Sequence, residues 1–407
     1  MTALKFFANL SSLPKKARTF IQLQAFFGGM TAILTLFVNT FLLNAFGSFS
    51  AEVLLYNGIM ALIQPIAMFT ALLVTARKNA IVAQRFGFVF YGVALTALCV
   101  FGERVSAFYP LFAVLISFGA GYYYTTYGSQ MLTYTDDGNR DLIAGITGAV
   151  GAVISILLPL LSGFLITIFD KNTGYRIVFG IAAVLALGAL LTTMRLPAIP
   201  KHDRKGAIKK VFTTILKDKN GRLIMIANGL SNCCGFTVPI YVTLLFYNLA
   251  PNELLISVNS TVGYVVTLLG SSLYGILVTK KNRVGFSVGS AILVMLPCLG
   301  MLFGLNIIMI MVFQAVYSLS LTFRSTPILN THFKVVEKLG LRSEYGAEVH
   351  FVREFFVSVG RFLGLALVWI IPQTTVGAVT VLLCLMLTSM LDAWILRTIQ
   401  KSGVLDD

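Results

Sequence analysis

The sequence predicts an all-α membrane protein with twelve transmembrane helices in two pseudo-symmetric six-helix bundles. Three observations predict this fold. Hydrophobic residues make up 57% of the 407 residues and charged residues only 12%, which leaves too few polar side chains to cover a water-soluble protein of this size. Apolar stretches of about 20 residues, the length that crosses a bilayer as a helix, recur along the chain. Basic residues collect in alternate connections between these stretches.

The apolar stretches form continuous runs, whereas the strands of a membrane barrel alternate apolar and polar residues. The third and ninth candidate spans are the shortest, so their boundaries are the least defined. In order, the predicted spans are Phe20–Phe46, Val53–Thr75, Phe86–Val100, Tyr109–Thr133, Ile143–Ile168, Tyr175–Met194, Leu223–Leu249, Leu254–Thr279, Phe286–Phe303, Ile307–Leu329, Phe351–Ile371 and Val376–Leu396.

Basic residues favour the cytoplasmic side of a membrane. The side that carries the N-terminal tail and the connections after even-numbered spans holds most of them, including Lys5, Lys15, Lys16, Arg77, Lys78, Arg140, Lys280, Lys281, Arg283, Lys334, Lys338 and Arg342. The opposite side holds Arg104, Lys171 and Arg176. We therefore expect a multi-pass protein of the cytoplasmic (plasma) membrane with both termini in the cytoplasm. This placement accounts for the net charge of +15 without nucleic-acid binding.

One long polar segment, Pro197–Arg222, divides the apolar stretches into two sets of six. It predicts an N-terminal bundle at residues 1–196, a cytoplasmic linker at 197–222 and a C-terminal bundle at 223–407. Within the linker, Ala207–Leu216 is either an amphipathic helix on the membrane surface or part of a solvated connection. Leu73-Val74-Thr75-Ala76-Arg77-Lys78-Asn79 and Leu277-Val278-Thr279-Lys280-Lys281-Asn282 are alike and 204 residues apart, which favours two related halves.

Six plus six spans around a basic central loop resemble the major facilitator superfamily. After its second span this family often carries Gly-x-x-x-Asp-x-x-Gly-Arg-Arg. Residues 76–87 of this chain keep basic residues there but lack the Asp and the leading Gly. The resemblance implies secondary active transport by alternating access, with spans one, four, seven and ten lining a central cavity. We expect a monomer.

The fifth span is similar to the glycine- and proline-rich fifth helix of exporters in this family. It contains Gly145, Gly148, Gly151, Pro159 and Gly163. Small residues also allow membrane helices to pack closely, so close packing is the alternative interpretation of this pattern.

Ionisable residues inside spans are costly and therefore point to function. The spacing of His350, Glu354, Ser358 and Arg361 places them on one face of span eleven. Span ten adds Arg324. In one interpretation, Arg324 and Arg361 bind an anionic part of a substrate, while Glu354 and His350 carry a coupling proton. In the other, Arg324 and Glu354 form a structural ion pair.

Uncharged polar side chains supply further candidate substrate-binding residues. Tyr123, Tyr127 and Gln130 share a face of span four, and aromatic rings with polar tips suit an amphipathic ligand. Gln24 in span one and Asn228 and Asn232 in span seven complete this set. The alternatives are an interfacial aromatic belt and hydrogen bonds between helices.

The sequence lacks the phosphate-binding loop of ATPases, and its three histidines and five cysteines form no metal-binding pattern. We therefore expect no enzyme activity, catalytic residue, cofactor or metal. The leading prediction is a secondary active transporter that exports an amphipathic small molecule. The alternatives are a flippase for an anionic lipid or glycolipid precursor, and a non-transporting membrane receptor or scaffold. The expected partners are a small-molecule or lipid substrate, membrane lipids and protons as the coupling ion.

Overall fold

A computed structural model describes residues 13–47, 51–135, 140–199, 207–279, 282–341, 345–372 and 374–402, without the side chains of residues 132, 140 and 141. Of the basic residues that predicted the orientation, Lys5, Lys280, Lys281 and Arg342 lie outside these residues, as does the side chain of Arg140. The basic linker residues Lys201, Arg204 and Lys205 lie outside them as well.

The described residues are almost entirely helical. The helices are α1 (Lys15–Phe46), α2 (Ala51–Arg77), α3 (Ala80–Phe101), α4 (Tyr109–Tyr134), α5 (Arg140–Ile168), α6 (Lys171–Met194), α7 (Ala207–Lys217), α8 (Lys219–Leu249), α9 (Glu253–Leu277), α10 (Arg283–Leu293), α11 (Met295–Gly300), α12 (Ile307–Lys338), α13 (Gly346–Ile370) and α14 (Thr375–Lys401).

The twelve-span prediction is confirmed. Ten described segments are long and apolar enough to cross a membrane, and one of them, Ala80–Met131, contains both α3 and α4. The further span is α13, which carries Arg353, Glu354 and Arg361 among its apolar residues. These three charged residues set this helix apart from the other spans, because charged side chains are costly inside a membrane.

Helix α3 begins at Ala80, six residues before the predicted span at Phe86. The carboxamide oxygen of Asn79 accepts a hydrogen bond from the Val82 amide at 2.9 Å, so it satisfies a donor of the first turn. The first turns also contain Gln84 and Arg85, whose polar side chains ended the apolar run in the sequence. Both are paired inside the protein: Gln84 with Gln130, and Arg85 with the carbonyl oxygen of Thr193.

The ninth span is broken into two helices. Helix α10 ends at Leu293, Val294 forms a turn, and α11 continues from Met295 through Gly300 into a short 3₁₀ turn, Met301–Phe303. Pro297 lies within α11 and cannot donate a backbone hydrogen bond, which accounts for an irregular segment here.

The amphipathic segment in the linker is a helix, α7, but its apolar face does not point towards lipid. Ala207, Val211 and Ile215 repeat every four residues and are buried. They belong to an apolar cluster with residues of α8, α12 and α13, namely Met225, Val336, Val349 and Val352. The helix therefore packs onto the protein, which differs from both interpretations offered by the sequence.

The helices divide into two compact units. Unit 1 comprises Met1–Phe41 and Ile66–Arg204, and unit 2 comprises Leu42–Pro65 and Lys205–Asp407. The end of α1 and the start of α2 are thus grouped with the second unit. The bundle limits at residues 196 and 223 and the linker at 197–222 stay predictions.

Within unit 2, α8 and α13 approach each other at backbone contact. A Cβ atom added to Gly360 would overlap the carbonyl oxygen of Gly229, and one added to Gly364 would overlap the backbone of Cys233 and the side chain of Thr237. Small residues allow membrane helices to reach this separation. This contact places the charged face of α13 beside the polar face of α8.

The glycines of α5 behave differently. A Cβ atom added to Gly145, Gly148 or Gly151 would meet nothing within 4 Å among the described residues. Close packing within unit 1 therefore does not explain these three glycines.

Candidate functional site

An ion pair on α13 is the centre of the charged site in unit 2. The guanidinium of Arg361 donates a hydrogen bond of 2.6 Å to Oε1 of Glu354, across two helical turns. Glu354 is 5% exposed. This contact agrees with the prediction that Glu354 and Arg361 share a face of span eleven. The functional roles of the two side chains stay predictions.

Arg361 is held by two further groups of unit 2. Its Nη1 donates to Oε1 of Gln64 on α2 at 3.1 Å. Its guanidinium lies 5.2 Å from the ring centroid of Phe236, within the range of a cation–π interaction. Three kinds of contact therefore fix the position of this charge. Gln64 was not among the predicted site residues, because its partner lies 297 positions further along the chain.

A second arginine of α13, which the sequence reasoning missed, connects this helix to α8. Nε of Arg353 donates to Oδ1 of Asn228 at 2.7 Å. The side chain of Asn232 donates instead to the backbone oxygen of Asn228 at 3.0 Å, one turn back. Asn228 is thus part of the charged site, whereas the side chain of Asn232 forms a hydrogen bond within its own helix, α8. His350 lies within electrostatic reach of Arg353 and Glu354.

Arg324 on α12 does not pair with Glu354, and this predicted ion pair is wrong. The side chain of Arg324 is buried, and its Nη2 lies 3.7 Å from Sγ of Cys234 on α8. The charge that acts on it is Asp392 of α14. Residue spacing could place Glu354 and Arg361 on one face, but the neighbours of Arg324 come from two other helices.

Asp392 is the acidic residue that the sequence reasoning missed. It is fully buried in α14, and neither of its carboxylate oxygens has a hydrogen-bond partner among the described residues. The signal was available, because Asp392 is the one charged residue within the predicted span Val376–Leu396.

Unit 1 holds the uncharged part of the predicted site. The hydroxyl of Tyr123 on α4 donates to Oε1 of Gln24 on α1. The ring of Tyr123 stacks on Phe27 with 3.3 Å between centroids, and Tyr127 stacks on Tyr123 at 6.0 Å. We call Gln24, Phe27, Tyr123 and Tyr127 the aromatic cluster. The structure thus brings together three of the predicted substrate-binding residues, Gln24, Tyr123 and Tyr127.

The side chain of Gln130 forms its hydrogen bonds with Gln84 and not with the aromatic cluster. Its amide nitrogen donates to Gln84 on α3 at 2.5 Å, and the amide nitrogen of Gln84 donates back at 3.2 Å. Both side chains are fully buried. This reciprocal pair matches the alternative of a hydrogen bond between helices.

Unit 2 also has an apolar groove between α9, α10 and α12. It encloses about 620 Å³. The groove has a polar floor, where the hydroxyl of Ser320 donates to the backbone oxygen of Ser290 at 2.8 Å. Its lining residues are Leu273, Leu277, Asn282, Gly285, Phe286, Gly289, Ser290, Leu293, Leu319, Ser320 and Phe323. Several of these, among them Leu273 and Leu293, are exposed on the outside of the unit.

Helices of membrane-spanning length, with inward-facing charges and a polar aromatic cluster, define a multi-pass membrane protein of the transporter class. The profile of the Major Facilitator Superfamily matches residues 19–365. The chain belongs to this family and is a membrane transporter, so the receptor or scaffold alternative is set aside.

Two curated proteins are similar to this chain in sequence, and one solved structure is similar in fold. The uncharacterized protein YqgE of Bacillus subtilis (strain 168) is 20% identical over 336 residues, which cover 82% of this chain and 77% of the relative. An uncharacterized protein in the sodM 3′ region of Geobacillus stearothermophilus is 24% identical over 143 residues, which cover 35% of this chain and 66% of the relative. A solved structure of a bacterial homologue of the human drug peptide transporters PepT1 and PepT2 matches the fold with a TM-score of 0.70. Its identity is 12%, over 95% of this chain and 98% of that chain.

Proposed function

We propose that the protein is a secondary active transporter that exports an amphipathic small molecule by alternating access. The aromatic cluster of unit 1 carries this proposal. It places the half-buried ring of Tyr127 and the half-buried side chain of Gln24 beside the buried rings of Phe27 and Tyr123, and Nε2 of Gln24 has no hydrogen-bond partner among the described residues. Neither α1 nor α4 contains an acidic residue. Such a surface suits an organic molecule with an apolar body and a group that accepts a hydrogen bond.

The export direction is supported by α5. Gly145, Gly148 and Gly151 leave a stripe that no described side chain covers, and this stripe lies in the helix that resembles the fifth helix of family exporters. A membrane helix that kept its glycines only for close packing would have neighbours against them.

The proposal also covers the membrane, the orientation, the oligomeric state and the coupling ion of the transporter. The distribution of basic residues favours the plasma membrane with both termini in the cytoplasm. We further propose a monomer that uses protons as the coupling ion, since ionisable side chains inside membrane spans commonly form proton pathways.

The aromatic cluster can be tested with Tyr123→Phe. This change removes the hydroxyl that donates to Gln24 and keeps the ring stack. Loss of one hydrogen bond is worth about 1 kcal/mol, so KM is expected to rise roughly threefold to tenfold. The measurement is efflux of ethidium and of fluorescein, as cationic and anionic amphipathic probes, from proteoliposomes with an imposed pH gradient.

Tyr122→Phe is the matched control for this experiment. Tyr122 is the preceding residue, but its ring packs on Ala71 and Ala83 in a separate apolar cluster. Efflux by this variant is expected to equal that of the unmodified protein. Equal effects of the two substitutions would contradict a substrate role for the aromatic cluster.

A flippase for an anionic lipid is the second candidate, and the groove of unit 2 favours it. The groove is apolar, opens on the outer surface of the unit and has a serine floor, so an acyl chain fits its chemistry. Arg283 begins α10 at one end of the groove and supplies a positive charge near the lining residue Asn282.

Gly289→Trp distinguishes the two candidates. Gly289 lines the groove, and an added Cβ atom there would meet nothing within 4 Å, so a tryptophan enters open space and fills the groove. For a flippase, movement of NBD-labelled phosphatidylglycerol in vesicles, followed by dithionite quenching, is expected to fall at least severalfold. For an exporter, dye efflux stays unchanged. Gly275→Trp, at an open position outside the groove lining, is the control.

A further inference from the structure

In the described part of unit 2, Glu354 and Asp392 lie inside helices and each has an arginine nearby, but the two acids are held differently. Glu354 accepts a hydrogen bond of 2.6 Å from Arg361. Asp392 has no nitrogen of Arg324 within ion-pair distance, 4.0 Å, although the charge of Arg324 acts on it. Hydrogen bonds stabilise a carboxylate in its charged form. The two acids therefore have different chemical roles.

The surroundings of Asp392 make its charged form costly. The side chain has no solvent exposure, and both oxygens lack hydrogen-bond partners among the described residues. An ionised carboxylate without such partners is strongly disfavoured in an apolar interior, and it commonly takes up a proton instead. Arg324 and, more weakly, the backbone amide of Ala393 oppose this, because a nearby cation or amide dipole stabilises the anion.

Five of the described helices pack on α14, and three of them, α8, α11 and α12, bring polar or ionisable side chains to the region of Asp392 and Arg324. Helix α12 contributes Arg324, which acts on Asp392, and Tyr317, which acts on Arg324 and donates its hydroxyl to the backbone oxygen of Cys234 at 3.4 Å. Helix α8 contributes Cys234, and α11 contributes Cys298, which interacts with Cys234. In the described part of α10 and α13, no charged side chain acts on Asp392. Arg324 is thus the principal charge that decides its state.

We infer that Asp392 is the proton-binding carboxylate of unit 2, with Arg324 as the cation that stabilises its deprotonated form. Binding one proton converts the carboxylate to a neutral acid and leaves Arg324 as an uncompensated buried cation. The cluster then gains one unit of positive charge. Because Arg324 contacts α8 and Asp392 belongs to α14, the proton changes the attraction among α8, α12 and α14.

Asp392 then takes the place of the predicted carriers as the site of the coupling proton. Glu354 and His350 were the predicted carriers, but the carboxylate of Glu354 is satisfied by Arg361. Proton binding by Asp392 stands independently of transport, whereas its role as the coupling site rests on the proposed function.

Infrared difference spectroscopy on the full-length protein in lipid tests proton binding directly. On acidification we expect a C=O stretching band at the high-frequency end that marks a protonated carboxyl group without hydrogen bonds. This band is expected to be lost in Asp392→Asn and kept in Glu354→Gln. Labelling aspartate with carbon-13 at its side-chain carboxyl in the unmodified protein shifts the band and identifies it even when Asp392→Asn does not fold.

Two outcomes would overturn the inference. The first is a spectrum in which no high-frequency band responds to aspartate labelling across the accessible pH range, which means that Asp392 stays ionised. The second is a band that is present but does not change with pH, which means that Asp392 is a permanently neutral structural acid.

Flux measurements then separate coupling from transport. In Asp392→Asn proteoliposomes, stimulation of dye efflux by a pH gradient is expected to disappear, while exchange without a gradient continues. Continued stimulation would overturn the coupling role. If the unmodified protein moves no dye, the proposed export function fails, and the infrared result still decides whether Asp392 binds a proton.

Discussion

Replacing Glu354 by Ala is expected to lower the free energy of unfolding by about 3 kcal/mol, because it leaves the guanidinium of Arg361 largely buried without its anion. The two side chains are 6% and 15% exposed, so solvent replaces little of the lost interaction. Gln64 and Phe236 still contact Arg361, which keeps the loss at the lower end for a broken buried pair. Thermal unfolding of the purified protein in detergent is the measurement, and a decrease in Tm of several degrees is expected.

A double-mutant cycle provides the control for this prediction. Glu354→Ala combined with Arg361→Ala removes both charges, so the double variant is expected to recover part of the Tm that the single variant loses. Glu348→Ala, which removes an acid from the first turn of the same helix, is expected to leave Tm within a degree or so of the unmodified protein. Additive effects of Glu354→Ala and Arg361→Ala would contradict a direct ion pair.

The second large effect is expected from Gly360→Ala. The new Cβ atom would overlap the carbonyl oxygen of Gly229, so α8 and α13 would have to separate. Adding a methyl group to a tightly packed interior commonly costs about 1 to 3 kcal/mol, and a backbone neighbour cannot rotate away. We therefore expect a loss of about 3 kcal/mol, seen as a lower Tm, and no folded protein for Gly360→Leu. The yield of monodisperse protein after size-exclusion chromatography reports the second result.

Gly346→Ala is the matched control on the same helix. An added Cβ atom at Gly346 meets nothing within 4 Å among the described residues. Alanine is a better helix former than glycine by about 1 kcal/mol, so this variant is expected to be as stable as the unmodified protein or slightly more stable. A Tm for Gly360→Ala equal to that of Gly346→Ala would show that the two helices do not meet closely there.

Hydropathy predicted the spans well, because a helix that crosses a bilayer needs a continuous apolar run and such runs make up most of this chain. It failed where polar side chains lie inside helices. Gln84 and Arg85 shortened the predicted third span, although both are paired within unit 1. The start of α3 depends on the cap at Asn79, which a hydropathy average does not register.

The candidate site was predictable only within one helix. Helical spacing placed Glu354 and Arg361 together, since that relation depends on local geometry alone. The partner of Arg324 depends on how α8, α12 and α14 pack, and spacing along one segment contains no such information. The same limit hid the contact between Gln64 and Arg361 and the apolar neighbours that α7 finds on α8 and α13.

The docking of α7 changes where the second half of the chain begins as a folding unit. Its buried residues Val211 and Ile215 complete an apolar cluster of that half, so a polypeptide that starts at the predicted boundary, residue 223, would expose Met225, Val349 and Val352. A C-terminal fragment that keeps this cluster covered therefore has to start no later than Ala207.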